Sequence, residues 1–363
     1  MKRNLQSLVA MALVFTAFSV GKLHAQQDPY TTHYMFNRTM YNPGAVGAKD
    51  LYCATFLSHF QYLGYEDRTP EFYQLDPNTP NSPLGVAKKN VGPKTQAFTF
   101  SAPITKYGGL GIGFISDRLG YENATHIKIA GAGRYPMPSG ATIALGVEVN
   151  IMQKGLDGKQ LKPLAAGDPK IPVSNVSDRN AIFSTGVYYN DPMANNIKYK
   201  DLWVGASVLG LNKPTFEYTG QGGTSSITFN TPATHFYFMG GVTMTDFMGN
   251  SSLEFMPSAM VKYNTVAQVD LTGLVRYQGK LWGGIAYRTT ADAFSILLGY
   301  SGFKGNLQGL RVGYSYDLTL SRILTVSSGS HELQLNYCFT FEIPPPKRID
   351  WVTPPTMHRK STY

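Results

Sequence analysis

The sequence predicts an all-β fold: a transmembrane antiparallel β-barrel of about 14 strands, with a periplasmic N-terminal segment and a C-terminal tail. Three observations predict it. Apolar and polar residues alternate with period two in segment after segment. The long connections fall only after odd-numbered strands. Past residue 25 no run approaches the ~18 consecutive apolar residues that a membrane helix requires.

Composition agrees. Of 363 residues, 43% are hydrophobic, 13% aromatic and 15% charged, against about 25% charged in an average soluble domain. Such a chain is neither disordered nor a charge-driven nucleic-acid arm. Its 23 Tyr, 20 Phe and 37 Gly suit many short strands joined by tight turns. A mean hydropathy of −0.17 fits a barrel, because an apolar outside and a polar inside average out.

Residues 1–25 read as a secretory signal. Lys2 and Arg3 precede an apolar core over 8–20, and Leu23-His24-Ala25 ends on the small residue that cleavage needs. Gln26 rather than a cysteine follows, so no lipid attaches there. Lys2, Arg3 and Lys22 leave with the signal and the remainder stays mildly basic.

The first strand places Tyr52, Ala54, Phe56, Ser58, Phe60 and Tyr62 on one face and Cys53, Thr55, His59 and Gln61 on the other. Strands follow at 95–104, 108–117, 123–135 and 141–152. In the last of these Ile143, Leu145, Val147, Val149 and Ile151 oppose Ala144, Gly146, Glu148, Asn150 and Met152. The series continues at 180–190, 201–209, 233–245, 252–263, 266–277, 280–288, 293–301, 308–317 and 331–341. An even count suits a bacterial barrel whose strand ends share a side.

Long connections at 64–94, 153–179, 210–232 and 318–330 follow odd-numbered strands, whereas those after even-numbered strands are mostly brief, with 191–200 of middling length. Outer-membrane barrels have long external loops and short periplasmic turns. The sorting therefore puts both termini in the periplasm, and a soluble sandwich or propeller has no reason to show it. Two flanks lie outside the barrel of 51–341. Residues 26–50, rich in Tyr, Met, Asn and Gly, form a periplasmic or plug-like segment, and 342–363 opens on Pro344-Pro345-Pro346 as an extended tail. That tail is either a disordered remnant or a periplasmic ligand, with Trp351 as anchor among Lys347, Arg348, Arg359 and Lys360.

Several motifs carry a resemblance. Residues 26–37 read QQDPYTTHYMFN, followed by Tyr41-Asn42-Pro43-Gly44 and Gly47; later come PSAMVKY at 257–263, Trp282-Gly283-Gly284 with Tyr287-Arg288, GYSYD at 313–317 and SGSHE at 328–332. In order and spacing the chain resembles the PorP/SprF family of outer-membrane proteins, components of the type IX secretion and gliding machinery of Bacteroidetes. The match is closest over 253–341; the long 64–94 connection and the proline-rich tail depart from it. The resemblance implies a non-enzymatic barrel associated with the periplasmic ring formed by a lipoprotein and its partner, with a peptidoglycan-binding adaptor, or with a secreted surface protein. Outer-membrane lipids are its surroundings. No cofactor, nucleic acid or small-molecule substrate is implied, and a passive diffusion porin is the alternative.

Site chemistry is sparse. Ser330-His331-Glu332 invites a hydrolase reading, but adjacent strand residues point to opposite faces, so Ser330 and His331 cannot pair as nucleophile and base. His33, His59, His126, His235, His331 and His358 are scattered, without C-x-x-C or H-E-x-x-H spacing. Gly109, Gly111 and Gly113 face the lumen as clearance for bulky interior groups rather than as a phosphate cradle, which needs a following helix. Lys128, Arg134, Glu148, Lys262, Asp270, Arg276 and Arg288 point inward with both signs, and either line a pore or pair into a plugged interior.

Cys53 and Cys338 are the only cysteines. First and last strands are neighbours in a closed barrel, and both side chains turn to the lumen near the periplasmic rim. In an oxidising compartment they form either a seam disulfide or two free lumenal thiols.

Overall fold

The computed structural model describes residues 29–67, 89–161, 171–172, 174–192, 199–219, 226–228, 232–289, 293–320 and 322–340. Fourteen of its strands close into one barrel. Numbered along the wall, they are β1 (Tyr52–Phe60), β2 (Lys94–Thr105), β3 (Gly108–Leu119), β4 (Glu122–Pro136), β5 (Thr142–Leu156), β6 (Val176–Asp191) and β7 (Tyr199–Leu209). The circuit continues with β8 (His235–Met244), β9 (Leu253–Tyr263), β10 (Ala267–Tyr277), β11 (Leu281–Arg288), β12 (Ala293–Tyr300), β13 (Leu310–Thr319) and β14 (Ser330–Phe339). Each pairs antiparallel with its chain neighbours, and β14 closes on β1 with Tyr52 opposite Phe339 and Phe60 opposite His331. Closure removes both sheet edges, the condition for a sheet in lipid.

Alternation sets the two faces. Leu145 and Val147 of β5 are 61% and 62% exposed, while Glu148 beside them is 4% exposed and turned inward. One end of the barrel, here the turn end, carries the start of β1, the end of β14 and the short connections 106–107, 137–141 and 278–280. Exposed Tyr107, Tyr135, Tyr199, Tyr277 and Tyr300 ring that end on the outside, the aromatic girdle of a membrane interface. The opposite loop end carries 61–93, 157–175 and 210–234, with two short ribbons, Glu66–Asp67 on Lys89–Asn90 and Glu217–Thr219 on Ser226–Thr228. No described helix is long and apolar enough to cross a membrane, and the strands do that here.

Candidate functional site

The lumen is occupied. Residues 29–50 fold into three single-turn 3-10 helices, Tyr34–Phe36, Arg38–Met40 and Pro43–Ala45. Asn42 accepts from the Gly44 amide at 2.8 Å and Pro43 opens the third turn, so the segment cannot run on as one regular helix. Short turns leave backbone groups unsatisfied, and buried ones need partners from elsewhere. The wall supplies them.

The segment runs the length of the barrel. At the loop end the His59 Nδ1–H donates to the Tyr30 carbonyl at 2.8 Å, and at the turn end Asp50 meets Arg134 Nη2 at 2.7 Å. The described chain therefore starts at the loop end, opposite Tyr52 and Phe339. The segment before β1 crosses the lumen because its buried polar backbone follows the partners that line it.

At the loop end one carboxylate gathers the segment. Glu332 of β14 accepts from the backbone amides of Thr32 (2.8 Å) and His33 (2.9 Å), and its Oε1 lies 2.6 Å from His33 Nδ1. Thr32 Oγ1 donates to Asp317 of β13 at 3.1 Å, and His59 Nε2 stands 3.8 Å from the same carboxylate. The Tyr30 ring lies 4.6 Å from Lys262 Nζ and 5.2 Å from the Arg288 guanidinium, which is itself 3.3 Å from Asp270. Glu332 and His33 are fully buried. Hydrogen bonds to charged groups are worth about 1.5–3 kcal/mol each, so this cluster holds the segment firmly.

Farther down, the wall makes room. A Cβ on Gly146 of β5 would stand 2.2 Å from the Pro43 carbonyl carbon, and one on Gly109 of β3 would stand 2.5 Å from the Val46 oxygen. The bare backbone lets Tyr41-Asn42-Pro43-Gly44 lie directly on the sheet, where Asn42 Nδ2 donates to the Val187 carbonyl of β6 at 3.0 Å. Lys128 donates to the Met40 carbonyl at 3.1 Å and Ser207 to the Tyr41 carbonyl at 2.6 Å. Arg38 lies over the Trp203 ring at 4.0 Å, donating to the Tyr188 hydroxyl at 2.9 Å and to Asp201 at 3.3 Å.

Six of the seven inward charges read from the sequence pair, Lys128 with Glu148 at 3.1 Å, Arg288 with Asp270, Arg134 with Asp50, and Arg276 with Glu254, while Lys262 lies over the Tyr30 ring. Gly109 and Gly111 clear space for Val46, and Gly113 for Lys128. Ser330 is buried and accepts from the Tyr62 amide, while His331 points to the other face and meets the Tyr314 hydroxyl at 2.6 Å. Among the described residues no cluster could hold a metal. Cys53 and Cys338 face each other in register and are disulfide-bonded. Trp351, Lys347, Arg348, Arg359 and Lys360 lie outside the described residues. Spacing alone leaves His33 and His59 scattered and gives Glu332 no role as an anchor; the signal for both is that His33 and Glu332 sit in the motifs that carry the family resemblance.

The family model described as "Type IX secretion system membrane protein PorP/SprF" matches residues 23–337. Among curated proteins none matches. Solved structures similar to the chain include the Ralstonia pickettii toluene transporter TbuX (12% identity, 85% of this chain, 94% of that one, TM-score 0.46). A Pseudomonas aeruginosa FadL homologue (12%, 87%, 95%, 0.45) and the translocator domain of the autotransporter NalP from Neisseria meningitidis (11%, 80%, 88%, 0.37) are similar too. With the motifs and the closed barrel on the same residues, the chain belongs to the PorP/SprF family of type IX secretion membrane proteins and is an outer-membrane β-barrel.

Proposed function

We propose that this barrel is a plugged scaffold of the type IX machine. It holds the periplasmic ring lipoprotein and its partner, a peptidoglycan-binding adaptor, or a secreted surface protein at the outer membrane, and it conducts nothing at rest. The observation that carries this reading is the segment 29–50, tied to the wall from His59 and Glu332 at one end to Arg134 at the other. A diffusion porin needs an open aqueous channel; a scaffold needs a rigid body.

In this reading residues 1–25 are cleaved and the turn end faces the periplasm. The tail 342–363 leaves from that end and presents Trp351 among Lys347, Arg348, Arg359 and Lys360 to a partner. No catalytic role is assigned. A crosslinked pull-down from native outer membranes tests the scaffold: recovery of a ring or peptidoglycan-binding component supports it, and a tail deletion should lower that recovery while the barrel stays folded. Stable large-step currents from the intact protein in planar bilayers would favour the porin.

A further inference from the structure

The turn-end mouth contains a charge imbalance that the plug does not use up. A cavity opens there between the plug and the wall, lined by Arg38 and Lys49 of the plug, Lys200 and Asp201 of β7, Arg276 of β10 and Arg311 of β13. Asp201 is matched to Arg38, and Glu254 of β9 to both Lys200 and Arg276. Neither Lys49 nor Arg311 has a carboxylate partner among the described residues; Arg311 lies over the Phe36 ring at 4.2 Å. With Lys49 protonated, five cations against two carboxylates leave the mouth at +3, and with Lys49 neutral it stays at +2.

The wall is bent to build it. Between Gly241 and Thr243 the β7–β8 register shifts, and Asp201 takes φ of 51°, a left-handed conformation uncommon outside glycine. Successive strand residues normally point to opposite faces. The bulge instead turns both Lys200 and Asp201 into the same cavity.

We propose that this mouth is a docking site for an acidic polypeptide segment of a partner protein. The cations sit on the plug and on three strands, β7, β10 and β13, each three strands from the next along the wall, roughly 14 Å. That spread suits carboxylates distributed along a chain better than one compact phosphate. Phe36, Trp203, Met256 and Leu274 supply apolar wall between the charges, so acidic residues alternating with apolar ones fit best. The barrel wall separates the cavity from the bilayer, which excludes a lipid headgroup still in its leaflet. Only the compartment of the partner, the periplasm, rests on the orientation proposed above.

The test uses the purified full-length protein in detergent and a fluorescein-labelled ten-residue peptide of alternating Glu and Leu, read by polarisation. The expected result is saturable binding that weakens with salt, is absent for the same peptide with Gln for Glu, and weakens about tenfold in Lys49→Met/Arg311→Gln. Arg311→Lys, with Lys49 intact, should bind as the parent does, and heat-modifiable migration confirms that each variant is folded. Equal binding by the Gln peptide, or by the folded double variant, overturns the proposal. Displacement by inorganic phosphate at the peptide's own molar concentration overturns it in favour of a phosphate site. A failed pull-down leaves this measurement intact, so the two readings fail separately.

Discussion

Glu332 and His33, 299 residues apart, are joined twice: the carboxylate accepts the His33 backbone amide at 2.9 Å and meets the ring Nδ1 at 2.6 Å. The last strand of the wall thereby fixes the first described turn of the plug. Removing one partner of such a buried, hydrogen-bonded pair costs about 3–5 kcal/mol. Glu332→Ala should lower the heat-modification midpoint and expose the segment 29–50 to protease in detergent. An unchanged midpoint and digestion pattern would show that the lower contacts alone hold the plug.

Deleting 29–50 removes the plug and should turn a silent barrel into a conducting one. The paired charges left on the wall, Lys128 with Glu148 and Arg288 with Asp270, are hydrophilic enough to wet the lumen. Planar-bilayer recordings of the intact and deleted proteins check this, and silence in both would mean that the wall collapses inward or that external loops close it.

Gly146→Ala should cost about 1–3 kcal/mol, because the new methyl would stand 2.2 Å from the Pro43 carbonyl carbon, a backbone atom that cannot swing away. Gly131→Ala, whose nearest neighbour would be the end of Leu110 at 3.7 Å, should stay within about 0.5 kcal/mol. Heat-modification midpoints compare the two, and equal shifts would deny the close approach.

Cys53 and Cys338 bridge the closing seam over 285 residues of sequence. For a loop of that length the chain-entropy model gives on the order of 5 kcal/mol. Mass spectrometry of non-reduced peptides should recover the cross-linked pair, and reductant should lower the midpoint of the parent but not of Cys53→Ser/Cys338→Ser. Two alkylatable thiols in freshly purified protein would rule the bond out.

Burial, with Arg38 as the next cause, pushes the Lys49 ammonium down to about 7 from an ordinary 10.5. Between those values the unfolded chain holds a proton that the folded protein has released, so stability rises with pH from about 7 towards 10. The midpoint should climb from pH 7 to pH 9, and Lys49→Met should flatten the slope. A slope unchanged by that substitution assigns the effect to another group.

The strands were legible because a half-buried strand writes its two environments into alternate residues. The run 141–152, with Ile143, Leu145 and Val147 facing lipid around Glu148, placed β5 to within a few residues. The start of β7 was not legible in the same way. A bulge turns Lys200 and Asp201 to one face, and nothing in the local pattern announces that the partner strand has slipped there. Gly109 and Gly111 were readable as clearance, but what they clear for is Val46, more than sixty residues earlier.

By itself the sequence determined the number of strands, their lipid face and the end of the barrel that carries the long loops, because each is a local property of alternation or spacing. Only the tertiary structure decided what fills the lumen. Alternation says that His59, Glu332 and Asp317 turn inward, not what they meet; Tyr30, Thr32 and His33 reach them only once closure of β14 on β1 brings the first and last strands together. A buried polar group must find a partner somewhere, and sequence periodicity carries no record of where a partner hundreds of residues away will stand.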